Sequence, residues 1–523
     1  MRQNVVDECS PEPNWLVSKI NLLRFRFRSV VYRLSYQKAP NAFDIINLLL
    51  AVIGAWTVIG YLAKWLGSLP FHLILGAFFV ILFIAVVWLR RYAASFSTVF
   101  DRAALSAESA QRLHDDAVLG MRNSYAWDVL ARIYFPMLES ARAEVGLAAE
   151  FHSEHDRSKR PFLCAMLPAG KDQGLVGLVG PVVEESQVLP QAATFAESRQ
   201  AYIRRLRNID AFKNPLGDEE GDNLAVQSLS YSGENISITC GIATYGEIVR
   251  TSDALQNEFA VFGFLSSGYP ILQRRQRRVG VSSQRHRIDT GGGLRLRVGD
   301  AMSVLPWRKQ VHAWSRSPSD LFFRPVGRAS GLGVSVAMVT DDGDGGSAFV
   351  AQRASNVGVY PDALHVVPSG MCNAKSDLRT GGALVDPEYV KWVMIQELLE
   401  ECFDMQEMAQ TRTFDWIGAV KSALKTRGLE DFDPIFTGLA LDFLNLRWDI
   451  CARVDVGDNG NRHDYRLCWE YKPLQQVRSL ALTKISEIDR RDWVQSGVGC
   501  LVLSRRDKPL REDVVNDGRS DLG

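Results

Sequence analysis

Two charge-free apolar runs, Ile45 to Leu62 (IINLLLAVIGAWTVIGYL) and Phe71 to Leu89 (FHLILGAFFVILFIAVVWL), constrain this chain more than any other feature. A helix crosses the hydrocarbon core of a bilayer with about 20 apolar residues, and both runs are close to that length. The link between them, Ala63 to Pro70, is so short that the two helices must be antiparallel. Trp65 and Trp88 lie near run ends, where interfacial aromatic belts form. Basic residues flank the pair: Lys19, Arg24, Arg26, Arg28, Arg33 and Lys38 before it, Arg90 and Arg91 after it, and only Lys64 between. The positive-inside rule therefore predicts a two-pass protein of the cell (inner) membrane with both termini in the cytoplasm. The first run begins too late, and is too long, for a cleaved signal peptide. A buried helical hairpin of a soluble protein is the alternative, but adjacent charge-free runs of this length are rare in soluble cores. Asn47 and His72, within or beside the runs, either line a pore or meet interfacial water.

The remaining chain is long enough, at 523 residues in all, for two or three globular units. Lys+Arg and Asp+Glu both number 60, so net charge points to no class of partner. The eight cysteines are scattered, with no C-x-x-C pair, which argues against a zinc site or disulfide scaffold and for a reducing compartment. The pattern divides the chain into a basic cytoplasmic tail (1–44), the membrane pair (45–90), a helical and mixed linker region (91–220), an α/β domain (221–505) and a polar, disordered tail (506–523).

Residues 97–150 read as helix, with Tyr125 to Leu147 apolar at helical spacing and interrupted by Pro136. This stretch is either a juxtamembrane stalk or the first piece of a helical layer. Ile236 to Tyr245 (ISITCGIATY) is a strand by β-branched content. Arginines from Arg274 to Arg297 cluster around Gly291, Gly292 and Gly293. No G-K-[ST] follows, so this is no P-loop, and no aromatic residues interleave for base stacking. A solvated loop is favoured there over a phosphate, RNA or lipid site, and nucleic acid is not an expected partner.

Leu332 to Thr340 and Ala348 to Arg353 read as strands of a hairpin turning at Asp341 to Ser347 (DDGDGGS). Asp386 and Pro387 start a helix, as N-cap and first residue, that runs to about Phe403. Val390, Met394 and Leu398 give it an apolar stripe. Glu397, Glu400 and Glu401 fall on one narrow face of it, where three carboxylates repel unless cations neutralise them. Oxygen-only ligands suit Mg²⁺ or Mn²⁺. An acidic solvated helix face is the plainer alternative.

The upstream spacing resembles the Nudix box. That pattern runs glycine, five residues, glutamate, seven residues, then Arg-Glu-aliphatic-x-Glu-Glu-x-Gly-aliphatic. Here Gly382 is followed at that spacing by Glu388, then by Gln396, Glu397, Leu398, Leu399, Glu400 and Glu401. Gln396 stands where the family has the arginine that braces the loop-helix-loop through an ion pair. Phe403 and Asp404 replace the final glycine and aliphatic residue, and Met371 to Gly381 is inserted after the Pro368-Ser369-Gly370 turn. The resemblance implies an α/β fold: a two-helix transmembrane hairpin, a helical linker region, and a C-terminal Nudix-like α/β/α sandwich with a mixed sheet. It implies metal binding at Glu397, Glu400 and Glu401, catalysis by Glu400 and Glu401, and contacts to the bound group from Arg353, Gly382 and Glu388. Downstream, Phe436 to Cys451 reads as another helix or strand. Glu470, in LCWEYKP, alternates like a strand residue and is either an exposed carboxylate or an additional metal ligand or base.

Two functions follow from the resemblance. One is a membrane-anchored pyrophosphohydrolase acting on a nucleoside diphosphate derivative with Mg²⁺ or Mn²⁺. The other is a non-catalytic nucleotide-sensing domain coupled to a membrane effector, a plan also found in bacterial defence systems. Copies joined through the hairpin would form a homo-oligomer. The retained glutamates favour the enzyme, and the Gln396, Phe403 and Asp404 departures favour the sensor.

Overall fold

The structure is a computed structural model, and it describes residues 14–23, 120–144, 162–168, 182–183, 188–195, 221–232, 235–266, 295–340, 346–354, 357, 359–374, 387–403, 405, 416–427, 432–456, 466–468, 470–471, 478–488 and 490–505. The two apolar runs, the arginine-rich loop up to residue 294, Gly382 and Asp386 lie outside the described residues. Among the described residues no helix is long and apolar enough to cross a membrane.

The chain divides into two compact units. In the first, formed within Met1–Asp115, Arg204–Asp210 and Leu265–Val304, a helix at residues 15–23 is bonded to residues 295–300.

The second unit is a mixed α/β structure. Its large sheet takes strands β1 (Cys164–Pro168), β6 (Gly333–Thr340), β7 (Ser347–Gln352), β8 (Leu364–Val366), β9 (Ser369–Met371), β10 (Ile435–Asp442), β11 (Arg447–Asp455) and β12 (Arg478–Ala481). The order is β1-β10-β11-β6-β7-β12, with β8 on β7 and β9 on β6. The β11–β6 pair is parallel and its neighbours are antiparallel, so the sheet is mixed, as expected. A smaller sheet, β2-β4-β3-β5, is built from β2 (Val182–Val183), β3 (Asp222–Ser232), β4 (Asn235–Thr244) and β5 (Ser330–Gly331).

The central strand β6, GVSVAMVT, is buried along its whole length, which is why its sequence runs nearly continuously apolar. Ala337 and Val339 join the core under one face, together with Cys164, Ala440, Cys451 and Val498, Cys500 and Val502 of the C-terminal helix Gln495–Leu503. By alternation Val334, Val336 and Met338 point to the opposite face. Helix Pro387–Phe403 contributes nothing to the first core and packs against β6, β9 and helix Trp416–Arg427. In chain order we call the helices α1 (Ser124–Glu144), α2 (Ala254–Ser266), α3 (Pro306–Trp314), α4 (Pro318–Phe323), α5 (Pro387–Phe403), α6 (Trp416–Arg427) and α7 (Gln495–Leu503).

Three local expectations are corrected. Pro136 does not interrupt its helix: α1 runs through it. Proline removes one N–H bond and pushes on the carbonyl of residue i−4, and Pro136 is exposed, where water can satisfy that carbonyl. The helix packs against α4, and Tyr134 meets Phe322 and Phe443, so it belongs to a helical layer and is no free stalk. Phe436 to Cys451 is neither one helix nor one strand but parts of β10 and β11 folded back through residues 443–446. The register shifts between Phe436 and Gly438, where φ is +151° and a side chain would strike the Leu167 carbonyl. Glu470 lies in a turn, not a strand.

Candidate functional site

Glu397 and Glu401 are one turn apart on α5, and both reach the backbone of β9. The Glu397 carboxylate lies against Gly370, so close that a Cβ there would overlap it. Glu401 Oε2 accepts from the Ser369 amide at 2.6 Å and from the Tyr471 hydroxyl at 3.1 Å, and the Ser369 hydroxyl lies 3.1 Å from the same phenol. Glu400 is half-buried and accepts from the Gln396 side-chain amide at 2.8 Å. Glu388 is exposed and accepts from the Trp392 indole at 2.7 Å, one turn along the same helix.

Two more residues complete the corner. Arg353, which follows β7 and bridges to Tyr471, pairs with Glu470 at 3.0 Å and lies over the Tyr471 ring. Burial, and next the neighbouring Glu470 carboxylate, push the Glu401 carboxyl well above the usual carboxylate range. The Ser369 amide, Arg353 and Tyr471 act in the opposite direction. Burial likewise raises the Tyr471 phenol, which therefore stays a donor at neutral pH.

Of the residues expected in a site, the structure brings together Arg353, Glu401 and Glu470, and sets Glu397 one turn before Glu401 against Gly370. Glu400 and Glu388 sit on the same helix with partners of their own. Sequence reasoning passed over Tyr471 and Ser369. Tyr471 adjoins Glu470 in the sequence, and Ser369 belongs to the Pro368-Ser369-Gly370 turn, so both lay beside residues already singled out.

In donor type and charge the corner suits a divalent cation. Glu401 and Glu470 lie beside Arg353, with Glu397 one turn before Glu401 on α5, and the carboxylates are all hard oxygen donors. In geometry the ligands are not assembled: among the described residues no three His, Cys, Asp or Glu side chains converge as a metal group. Glu401 spends one oxygen on protein donors instead.

No protein-family model matches the chain. No curated protein matches it by sequence either.

Proposed function

We propose that the second unit is a Nudix-like domain that hydrolyses a nucleoside diphosphate derivative and is held at a membrane by the apolar pair at residues 45–90. The observation that carries this reading is the excess of carboxylate over arginine where α5 meets β9. A divalent cation there would stabilise the charged form of these buried carboxyls. Mg²⁺ or Mn²⁺ held by Glu397, Glu400 and Glu401 would neutralise the diphosphate and polarise the attacking water. The chain's own residues do the rest. Glu401, with its raised carboxyl, can hold or release a proton at Oε1, the oxygen not engaged by Ser369 and Tyr471. The amide of Ser369 and the phenol of Tyr471 orient that carboxyl, and Arg353 positions Glu470 beside it.

A specific observation favours the second reading, a domain that binds a nucleotide and relays the event to the membrane pair. Glu401 Oε2 is already bonded inside the fold, and Gln396, which stands where the family has its arginine, donates to Glu400. Isothermal titration of the full-length protein against a panel of nucleotides, with product analysis in Mg²⁺ and Mn²⁺, separates the two. Metal-dependent turnover that falls on the order of a hundredfold in Glu401→Gln supports the enzyme. Tight binding without products transfers the conclusion to the sensor. Absence of both removes the nucleotide from the proposal.

A further inference from the structure

The helix at residues 15–23 is turned inside out. Its polar side chains Ser18, Lys19 and Asn21 are bonded to residues 295–300. Ser18 is fully buried, donates to Asp300 at 2.6 Å and accepts from the Arg297 amide at 3.1 Å. Lys19 pairs with Asp300 at 2.5 Å, and the Asn21 side chain donates to the Arg295 carbonyl at 3.3 Å. The hydrogen bonds from Lys19 and Ser18 hold the Asp300 carboxyl below the usual range, as a committed partner would be. Its apolar side chains face outward: Leu16, Ile20 and Leu23 are exposed, with Trp15 at 58% and Leu23 at 65%. At 100° per residue Leu16, Ile20 and Leu23 fall within about 60° of one another, a single stripe. Leu22 alone among the helix's large apolar residues is buried.

A helix pinned by its polar face, with leucine, isoleucine and tryptophan presented outward, needs a non-aqueous surface opposite them. The sequence says which. Arg24, Arg26 and Arg28 follow the helix directly, Arg33 and Lys38 come next, and the first apolar run begins at Ile45. Apolar residues with a tryptophan, joined to a cluster of basic residues, are the composition of a helix lying in the plane of an anionic leaflet.

We propose that residues 15–23 form an interfacial helix that lies on an anionic lipid surface, with Leu16, Ile20 and Leu23 in the acyl boundary and Trp15 at headgroup level. The proposal rests on the membrane reading, but it concerns a different segment from the spanning pair. It also fixes the first unit against the leaflet, since Asp300 and Arg297 are bonded to the same helix.

The test uses the full-length protein reconstituted in phosphatidylcholine–phosphatidylglycerol vesicles, with Cys9 and Cys468 replaced by serine. Single cysteines at Leu16, Leu23, Ala55 and Glu139 carry a fluorophore, and lipids brominated at shallow or deep acyl positions serve as quenchers. Glu139 is an exposed site on α1 and reports the aqueous baseline. Labels at Leu16 and Leu23 should be quenched by the shallow bromines, about 5–10 Å below the headgroups. Leu16→Glu should lower the quenching at Leu23, and so should omission of phosphatidylglycerol. If Ala55 is quenched deeply while Leu16 and Leu23 behave like Glu139, the interfacial helix is overturned and the spanning pair stands. If Leu16 and Leu23 are quenched and Ala55 is not, the helix stands and the spanning pair fails. Labels shielded from aqueous iodide yet untouched by brominated lipid would mean that protein covers the stripe, either another segment or a second copy, and would also overturn the proposal.

Discussion

Two clusters of buried ionisable groups in the second unit invite comparison, because their composition is opposite. The acidic corner at α5 and β9 has carboxylates in excess of arginine. The other cluster, under α1, α2 and α3, has arginine in excess. Arg308 is fully buried and donates to the Tyr134 hydroxyl, to the Phe443 and Leu444 carbonyls and to the Leu255 carbonyl. Arg328 is buried beside it and donates to the Leu321 carbonyl at 2.6 Å, and burial brings its pKa down to about 9. Glu258 faces this cluster and accepts the amides of Trp307 and Arg308 at the start of α3. The arginines here are met mainly by backbone carbonyls, and Arg308 Nε and Arg328 Nε and Nη1 are buried without a hydrogen-bond partner among the described residues. In the acidic corner Glu401 and Glu470 lie beside Arg353, and Glu401 also accepts from the Ser369 amide and the Tyr471 phenol. The first arrangement ties elements together, and the second is the one that the proposed function assigns to a cation.

The largest expected effect lies in the arginine cluster. Arg308→Met removes the buried donors that link three backbone carbonyls and the Tyr134 phenol, and should cost about 3–5 kcal/mol. Thermal unfolding followed by tryptophan fluorescence reads this directly, because Trp307 and Trp314 pack together on α3. A variant of near wild-type stability would mean that the cluster is not the tie described here.

Acid should act next, in opposite senses at one residue of the arginine cluster and at a buried carboxyl at the end of β10. His312 sits against Tyr134, and burial, then Arg308 and Arg328, lower its pKa from 6.5 to about 3. Between those values the unfolded chain binds a proton that the native state refuses, so stability is lost as pH falls from 6.5 toward 3. Asp442 behaves in the reverse sense. It is buried at the end of β10, accepts from Tyr360 at 2.6 Å and from the Leu444 amide at 2.8 Å, and burial raises it from 3.8 to about 7. The native state then holds the extra proton between pH 3.8 and 7, so Asp442 contributes stability at the acid end that fades as pH rises to 7. Each term is on the order of a few kcal/mol. His312→Gln should reduce the loss of stability in acid, and Asp442→Asn should steepen it. Urea midpoints measured between pH 4 and 7 check both. Equal slopes in the wild type and both variants would refute the assignment.

How much of this was legible in the sequence differs between the two clusters, for a physical reason. The acidic corner is largely carried by one helix, where Glu397, Glu400 and Glu401 are brought together by a period that sequence spacing reveals. Its hairpin, β6 and β7, and the extent of α5 to Phe403 were likewise readable from β-branched content, a glycine-rich turn and an apolar stripe. The arginine cluster is built by residues far apart in the chain, such as Tyr134, Glu258, Arg308 and Phe443, and no local period announces such a meeting. The same holds for β1. Its five residues lie in a stretch read as linker, and only pairing with β10 makes them a strand of the large sheet. The β10–β11 turn escaped because its residues Phe443-Leu444-Asn445-Leu446 are mostly apolar, where polar turn residues would have marked a break.

Within the acidic corner, Arg353 is the residue whose removal should change function more than folding. Arg353→Gln keeps a donor but deletes the charge paired with Glu470 and adjacent to Glu401. Turnover, or nucleotide affinity if the domain only binds, should change at least about tenfold, equivalent to about 1.4 kcal/mol. Glu470→Gln tests the same contact from the other side. In a double-mutant cycle the pair should be non-additive. Additive effects would show that the two residues act separately, and the corner would lose its positioning element.

The smallest expected effect is at Gly370. A methyl group there would overlap the Glu397 carboxylate, which is the mobile end of a long side chain and can swing away. Gly370 does not require a left-handed backbone, so Gly370→Ala adds little strain of its own. Its stability cost should stay within about 1 kcal/mol, the range of modest repacking. The displaced carboxylate would nonetheless leave the position from which it could share a cation with Glu401. Mn²⁺ affinity, followed by electron paramagnetic resonance of the free ion, should therefore fall severalfold while the unfolding midpoint hardly moves. A large loss of stability would mark Glu397 as a packing residue. Unchanged Mn²⁺ binding in a well-folded Gly370→Ala protein would remove Glu397 from the ligand set and leave Glu400, Glu401 and Glu470 to carry it.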